Sequence, residues 1–179
     1  MARFVSSFAI LLAFVTACIA AVYQVEEDIA NIASQVTVID SAIHAFPTTG
    51  GSLLEALEIH ELATTLASAL ASTTTDVVAT GPVDDTDGQT ILKEVEAFEP
   101  TIIDALISLA QKVPAFSALP LGGVLALIKQ DVVDLDAETK NLENAMIADT
   151  PADLLAQAAS ITSAIDAAFA TVGAAFADT

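Results

Sequence analysis

From residue 25 onward, apolar residues recur on one face of a helix. Val25, Ile29, Ile32, Val36, Ile39, Ile43 and Phe46 are separated by steps of 4, 3, 4, 3, 4 and 3, a spacing that places all of them on a single stripe of an α-helix. Pro47 and Gly50-Gly51 end that helix, since neither residue type continues one cheaply. A second helix is predicted to open at Ser52-Leu53-Leu54-Glu55, where the Ser and Glu side chains can cap each other's backbone amides. It carries Leu62, Leu66, Leu70 and Val77 and stops near Gly81-Pro82. The third is expected from Asp87, read as its cap, to Lys112 through Leu92, Val95, Phe98, Ile102, Leu106 and Leu109. Pro100 lies inside it and predicts a kink or a break. The fourth repeats the heptad at Leu121, Leu125, Ile128, Val132, Leu135, Leu142 and Met146. The fifth is read as capped by Thr150 with Pro151 in its first turn, running through Leu155, Ala158, Ile161, Ile165, Phe169, Val172 and Phe176. No stretch carries a strand's period-two alternation. The fold class expected is therefore all-α: an up-and-down bundle of about five long amphipathic helices whose short turns make neighbours antiparallel.

The first residues read differently. Arg3 is followed by an uncharged, apolar run over residues 4–21 that closes on small residues, with Cys18 and Ala20 at the −3 and −1 positions of a cut after Ala20. A basic start, an apolar middle and a small-residue exit predict a secretory signal peptide at residues 1–20, and a single helical-bundle domain at residues 21–179. A retained membrane anchor and a lipoprotein signal ending at Cys18 are the alternatives. The polar stretch Gln24, Glu26, Glu27 and Asp28 follows with no basic flank, which favours cleavage and no transmembrane segment in the mature chain. Cleavage removes Cys18, the one cysteine, so no disulfide is available and the core alone must hold the secreted fold.

Charge narrows the partners. The whole chain carries 24 acidic residues against 5 basic ones, for a formal net charge of −19. Such a surface repels phosphate backbones, so nucleic acid is excluded as a partner. The hydrophobic fraction is still 54%, which excludes a disordered acidic tail.

Candidate chemistry is sparse. His44 and His60 are read as solvated surface residues. His60-Glu61 begins like a zinc-protease helix, but Thr64 stands where the second histidine is needed. Asp85, Asp87, Gly88 and Glu94 fit an EF-hand loop at four positions, yet Val83 occupies the first ligand position. That segment is read as an acidic turn. No catalytic set, no metal site and no cofactor is predicted, and the chain is read as not an enzyme.

The placement of charge is more informative. Residues 113–128 are uncharged across sixteen positions. Pro114, Pro120 and the glycines Gly122-Gly123 make the first half an apolar loop. In a bundle of alternating direction this loop shares an end with the Phe46-Pro47 turn, while Asp84, Asp85, Asp87, Asp149 and Asp153 gather at the other. Phe46, Pro47, Val113, Pro114, Phe116, Leu119 and Pro120 are thus candidate contacts with a hydrophobic surface. The alternative is that these loops fold inward as a lid. A second candidate site lies between the helices, where Ile32, Val36, Leu66, Ile102, Ile128 and Ile165 would line a lipid cavity.

Three segments carry a family resemblance: QVEEDIANIASQVTVIDSAIHAFPTTGG at residues 24–51, DGQTILKEVEAFEPTIIDALISL at residues 87–109, and residues 116–176. With the turn wording Ala45-Phe46-Pro47 and Pro151-Ala152-Asp153-Leu154-Leu155, they resemble the fungal hydrophobic surface-binding protein A family, related to cell-wall galactomannoproteins. The resemblance implies a secreted protein that adsorbs to hydrophobic solids and recruits a polyester- or cutin-degrading hydrolase. Its galactomannoprotein side implies instead an extracellular carrier enclosing a fatty acid between helices. The chain departs from wall-anchored relatives in having no Asn-x-Ser/Thr site and no Ser/Thr-rich stalk. A freely secreted domain is therefore expected, with cell-wall association as the alternative.

Overall fold

The computed structural model describes the backbone of residues 2–177 and the side chains of residues 20–177. The side chains on which the signal-peptide reading rests, Arg3 and Cys18 included, lie outside the described residues. Five helices follow in chain order: α1 (Ala2–Ala45), α2 (Leu53–Thr80), α3 (Asp85–Ser117), α4 (Val124–Asp149) and α5 (Leu155–Ala177), the last entered through a short 3₁₀ turn, Ala152–Leu154. No strand occurs among the described residues.

The α1 seam is buried from Val25 to Phe46 at every predicted position. On α2 the buried line is Ala56, Ile59, Ala63, Leu66, Leu70, Thr73 and Val77, so small residues and a threonine belong to a seam that a search for large apolar residues misses. The capping box at Ser52 forms as expected: Glu55 N–H donates to Ser52 Oγ at 3.2 Å and Ser52 N–H to Glu55 Oε2 at 3.0 Å. Those bonds favour the charged carboxylate and hold the Glu55 pKa below its ordinary value.

Several boundaries differ from expectation. The cap of α3 is Asp84, not Asp87; Asp84 Oδ1 accepts from the Thr86 and Asp87 amides at 2.9 and 3.0 Å. The helix runs unbroken through Pro100, where a kink or break is expected from sequence, and on through Pro114 to Ser117. The segment read as an apolar loop from Val113 is thus helical up to Ser117. A proline so close to a helix end forfeits one hydrogen bond where the ladder is about to stop, and the carbonyl of Pro114 still accepts from Ala118 N–H at 3.2 Å. Leu121 falls in the turn, 54% exposed, instead of opening α4. Thr150 does not cap α5: it ends α4, with its hydroxyl donating back to Met146 O at 2.7 Å.

Chain direction alternates, but spatial order does not follow chain order. The α1–α2 and α3–α4 turns meet at one end, where the rings of Phe46 and Phe116 stack 4.3 Å apart. The α2–α3 and α4–α5 connections meet at the other, where Val83 N–H donates to Asp149 O at 3.4 Å. The main packing pairs are α1 with α2, α2 with α4, α4 with α5, α5 with α3 and α3 with α1. The helices therefore close into a ring in the order α1, α2, α4, α5, α3. Antiparallel neighbours occur at α1/α2 and α4/α5, whereas α1/α3, α2/α4 and α3/α5 pack parallel.

The α5 segment Ala152–Ala177 is long and apolar enough to cross a membrane by length and composition. Its Ala158, Ile161, Ile165, Ala168, Phe169, Val172 and Phe176 are buried in the bundle core.

Candidate functional site

The ring of helices leaves apolar space inside. One cavity of about 120 Å³ runs beside α1 from Ile29 to Ile43 and is walled by all five helices. Fourteen residues of helix span about 21 Å, which compares with roughly 15 Å for the acyl chains of one bilayer leaflet. An apolar cavity of about 150 Å³ is known to stay dry and to admit benzene. A second cavity of about 80 Å³ continues toward the acidic end, between Val25, Val77, Val83, Ile91 and Ile161. Val95, Glu143, Met146 and Ile165 line both cavities and so stand between them.

The structure places all six candidate cavity residues, Ile32, Val36, Leu66, Ile102, Ile128 and Ile165, in the wall of the larger cavity. Its lining from α1, α2 and α5 is fully buried. The partly exposed lining comes from α3 and α4: Val95, Phe98 and Ile102 on one, Leu135, Thr139, Glu143 and Met146 on the other. In the ring those two helices stand on either side of α5, so the partly exposed lining flanks α5.

The surface-contact candidates are brought together, but mostly inward. Phe46 and Phe116 are each 1% exposed, and Val113 and Leu119 are buried beside them. Pro47 is half-buried, while Pro114 and Pro120 are exposed. The two apolar turns thus form a closed lid, its rings nearly parallel at 11°, and the exposed apolar side chains at this end include Leu54 and Leu121. Burial of two phenyl rings outweighs any preference for water, and stacking adds to it.

Three charged features escaped the sequence reading. Lys112, 9% exposed, sits beneath the lid and donates to Phe46 O and, at 3.5 Å, to His44 O. A cation there satisfies carbonyls at the α1 C-terminus and complements its dipole. Sequence placed Lys112 at a helix boundary, with no sign that α1 would end against it.

The histidines are engaged, not merely solvated. His60 Nδ1 lies 2.8 and 2.9 Å from the two carboxylate oxygens of Asp131. Asp131 is 7% exposed and lines the larger cavity. Burial raises its pKa, and the contact with His60 opposes that rise. His44 bridges α1 and α3: Nδ1 lies 3.1 Å from Asp40 Oδ1, and Nε2 lies 3.4 Å from Asp104 Oδ2 and 3.1 Å from Ser108 Oγ. Asp40, His44 and Asp104 bring three ligand-type atoms within 4.8 Å of one another, and the imidazole with its two carboxylates accounts for that geometry as an ion-pair cluster.

The third feature is Glu143, whose pKa burial and the nearby Asp166 push up to about 7, against the opposing charge of Lys140. Its Oε1 is buried and has no hydrogen-bond partner. In the heptad reading Glu143 is simply the charged neighbour of Leu142. Only the ring order shows that it faces the interior.

Residues 22–148 match the family Hydrophobic surface binding protein A. The chain belongs to that family. No curated protein sequence matches the chain. Among solved structures, AfMP4p in complex with palmitic acid is similar at a TM-score of 0.79 and 24% identity, covering 87% of this chain and 99% of its own. Ligand-binding domain 1 of the Penicillium marneffei MP1 protein, complexed with arachidonic acids, is similar at 0.75 and 16%, covering 84% and 95%. Ligand-binding domain 2 of the same protein, with multiple arachidonic acids, is similar at 0.75 and 16%, covering 90% and 97%. At these identities the likeness establishes the five-helix fold.

Proposed function

We propose that this family member is a non-enzymatic extracellular protein that encloses an acyl chain between its helices. The observation that carries the reading is the apolar cavity along α1 from Ile29 to Ile43, with a second in line with it. A pocket mostly of Ile, Leu, Val and Phe with few polar groups suits a hydrocarbon chain and offers no reaction centre. The fatty acids held by AfMP4p and the MP1 domains support the same reading. A full acyl chain needs the two cavities to join, which movement of Met146 and Val95 between them would allow.

The test is displacement of a naphthalene-labelled fatty acid by palmitic acid. Saturable displacement is expected from the parent protein. The double substitution Ala63→Leu and Ala105→Leu, both in the larger cavity's wall, should abolish it while the helical spectrum stays unchanged. Equal displacement by parent and filled variant would overturn the cavity as the site.

Family membership favours a second reading alongside the first: adsorption to hydrophobic solids. Since Phe46 and Phe116 are inside, adsorption would proceed by opening the lid and laying core residues on the solid. The acidic end would then face water, free for a partner such as a secreted esterase or cutinase. Retention of the protein on polyester particles, with little dependence on salt, tests this reading.

A further inference from the structure

On the acyl-chain reading, on which this inference rests, the polar groups of the two cavities decide which headgroup they accept. The ionisable residues in the walls are Asp131, Glu143 and Asp149, all acidic. Among the described residues no lysine or histidine lines either cavity. Lys112 is committed to the Phe46 and His44 carbonyls, Lys129 donates to Phe176 O at 3.3 Å, and Lys140 pairs with Asp136 at 2.8 Å. A carboxylate brought into this interior would meet acidic side chains and no basic one in the walls, and burial of an unpaired anion is heavily disfavoured.

Glu143 occupies the junction shared by the two cavities, with Oε1 buried and unpartnered. We propose that the site selects acyl chains with an uncharged carbonyl headgroup, the protonated fatty acid or a fatty-acyl ester, and that protonated Glu143 donates the hydrogen bond to that carbonyl. The carboxylate form of the same chain is rejected. The groups that act on Glu143 are Lys140 and Asp136 on its own helix and Asp166 from α5. Asp131, further along α4, is held by His60 of α2. The cavity walls contributed by α1, α2 and α3 are free of ionisable side chains. Burial that holds Glu143 protonated to about pH 7 is consistent with the donor role.

Equilibrium dialysis of the whole protein with radiolabelled lauric acid and with methyl laurate, at pH 5.5 and pH 8.5, tests the proposal and separates the two sources of a neutral carbonyl. Lauric acid should bind at least about tenfold more weakly at pH 8.5, where both it and Glu143 are ionised. Methyl laurate should weaken less, since only Glu143 changes. In Glu143→Gln, which keeps a neutral donor at both pH values, methyl laurate should bind equally at the two. Lauric acid binding as tightly at pH 8.5 as at pH 5.5 would overturn the headgroup proposal and leave the acyl-chain reading standing. So would a Glu143→Gln variant whose ester binding keeps the parent's pH dependence. Failure of both ligands to bind at either pH would overturn the acyl-chain reading, and the proposal with it. Glu143→Leu, which retains the buried volume but has no donor, should lose ester affinity at pH 5.5; unchanged affinity would also overturn the proposal.

Discussion

Replacing Phe46 and Phe116 with leucine, singly and together, tests whether the apolar end is a closed lid or an exposed contact patch. Each ring is 1% exposed, and the pair stacks at 4.3 Å. Leucine keeps most of the apolar volume but loses ring-on-ring contact. A shape change of this kind costs up to about 1.5 kcal/mol, and lost stacking adds roughly 0.5–1.5 kcal/mol. Each single variant should therefore lose about 0.5–3 kcal/mol, and the double should lose less than the sum by the stacking term. With a urea slope of about 1–3 kcal/mol/M, a loss of 1.5 kcal/mol moves the unfolding midpoint by roughly 0.5–1.5 M, well within reach of circular dichroism. A second readout has the opposite sign under the two pictures. If the rings are a lid, weakening it eases exposure of the core, and retention on polyester beads should rise. If the rings are themselves the contact, retention should fall. Neutral single variants with no coupling, together with reduced bead binding, would refute the lid and restore the exposed patch.

Glu143→Gln should stabilise the protein at pH 8 and change little at pH 4. The folded pKa of about 7 lies above the ordinary glutamate value, so the parent's contribution is full below the unfolded pKa and is lost as pH rises through 7; discounted for partial exposure, the gain is about 1–2 kcal/mol, or roughly 2–8 °C in melting temperature. Flat melting differences between pH 4 and 8 would contradict it. Lys112→Met keeps the buried stem but strands the α1 carbonyls, and should cost about 1.5–3 kcal/mol in urea unfolding. Gly51→Ala drives a methyl carbon into the Phe46 ring and should cost about 1–3 kcal/mol. The control Gly122→Ala meets nothing within 4 Å and should melt like the parent.

Much of the bundle was legible because its signals are local. The α1 seam and the Ser52 capping box rest on spacings within one helix, and each is found as read. The boundary errors have a common origin. Pro114 and Thr150 were assigned by residue type, but a proline one turn from a helix end costs little, and a threonine can bond backward as readily as it caps. The site was half legible. The six candidate cavity residues share one wall because each was drawn from its own helix's apolar stripe, and in any closed bundle such stripes converge. What the stripes could not tell is which helices are neighbours. Asp131 meets His60 because α2 packs on α4, a pairing 71 residues apart in sequence. Lys112 reaches the end of α1 because α1 and α3, parallel as alternating direction requires, pack side by side, a pairing the stripes do not specify.

The same heptads that predict a solid core also explain why this one is hollow. Helices in contact lie about 8–10 Å apart, so in a closed ring of four each axis stands roughly 6–7 Å from the centre, and in a ring of five roughly 7–8.5 Å. Side chains long enough to fill the first leave space in the second unless they are larger. Here they are not: the lining is chiefly Ile, Leu and Val, and Ala63 and Ala105 face the same interior. Alanine at those positions looks like ordinary helix-forming sequence, and on a four-helix ring it would bring neighbours closer. On a ring of five the neighbours are already in contact through α1/α2, α2/α4, α4/α5, α5/α3 and α3/α1, so the missing volume stays in the middle. The bundle accepts that lost packing without a disulfide among its described residues. The compensation lies at its ends, where the Phe46–Phe116 stack with Lys112 beneath closes one and the Val83–Asp149 bond with the Asp84 cap closes the other.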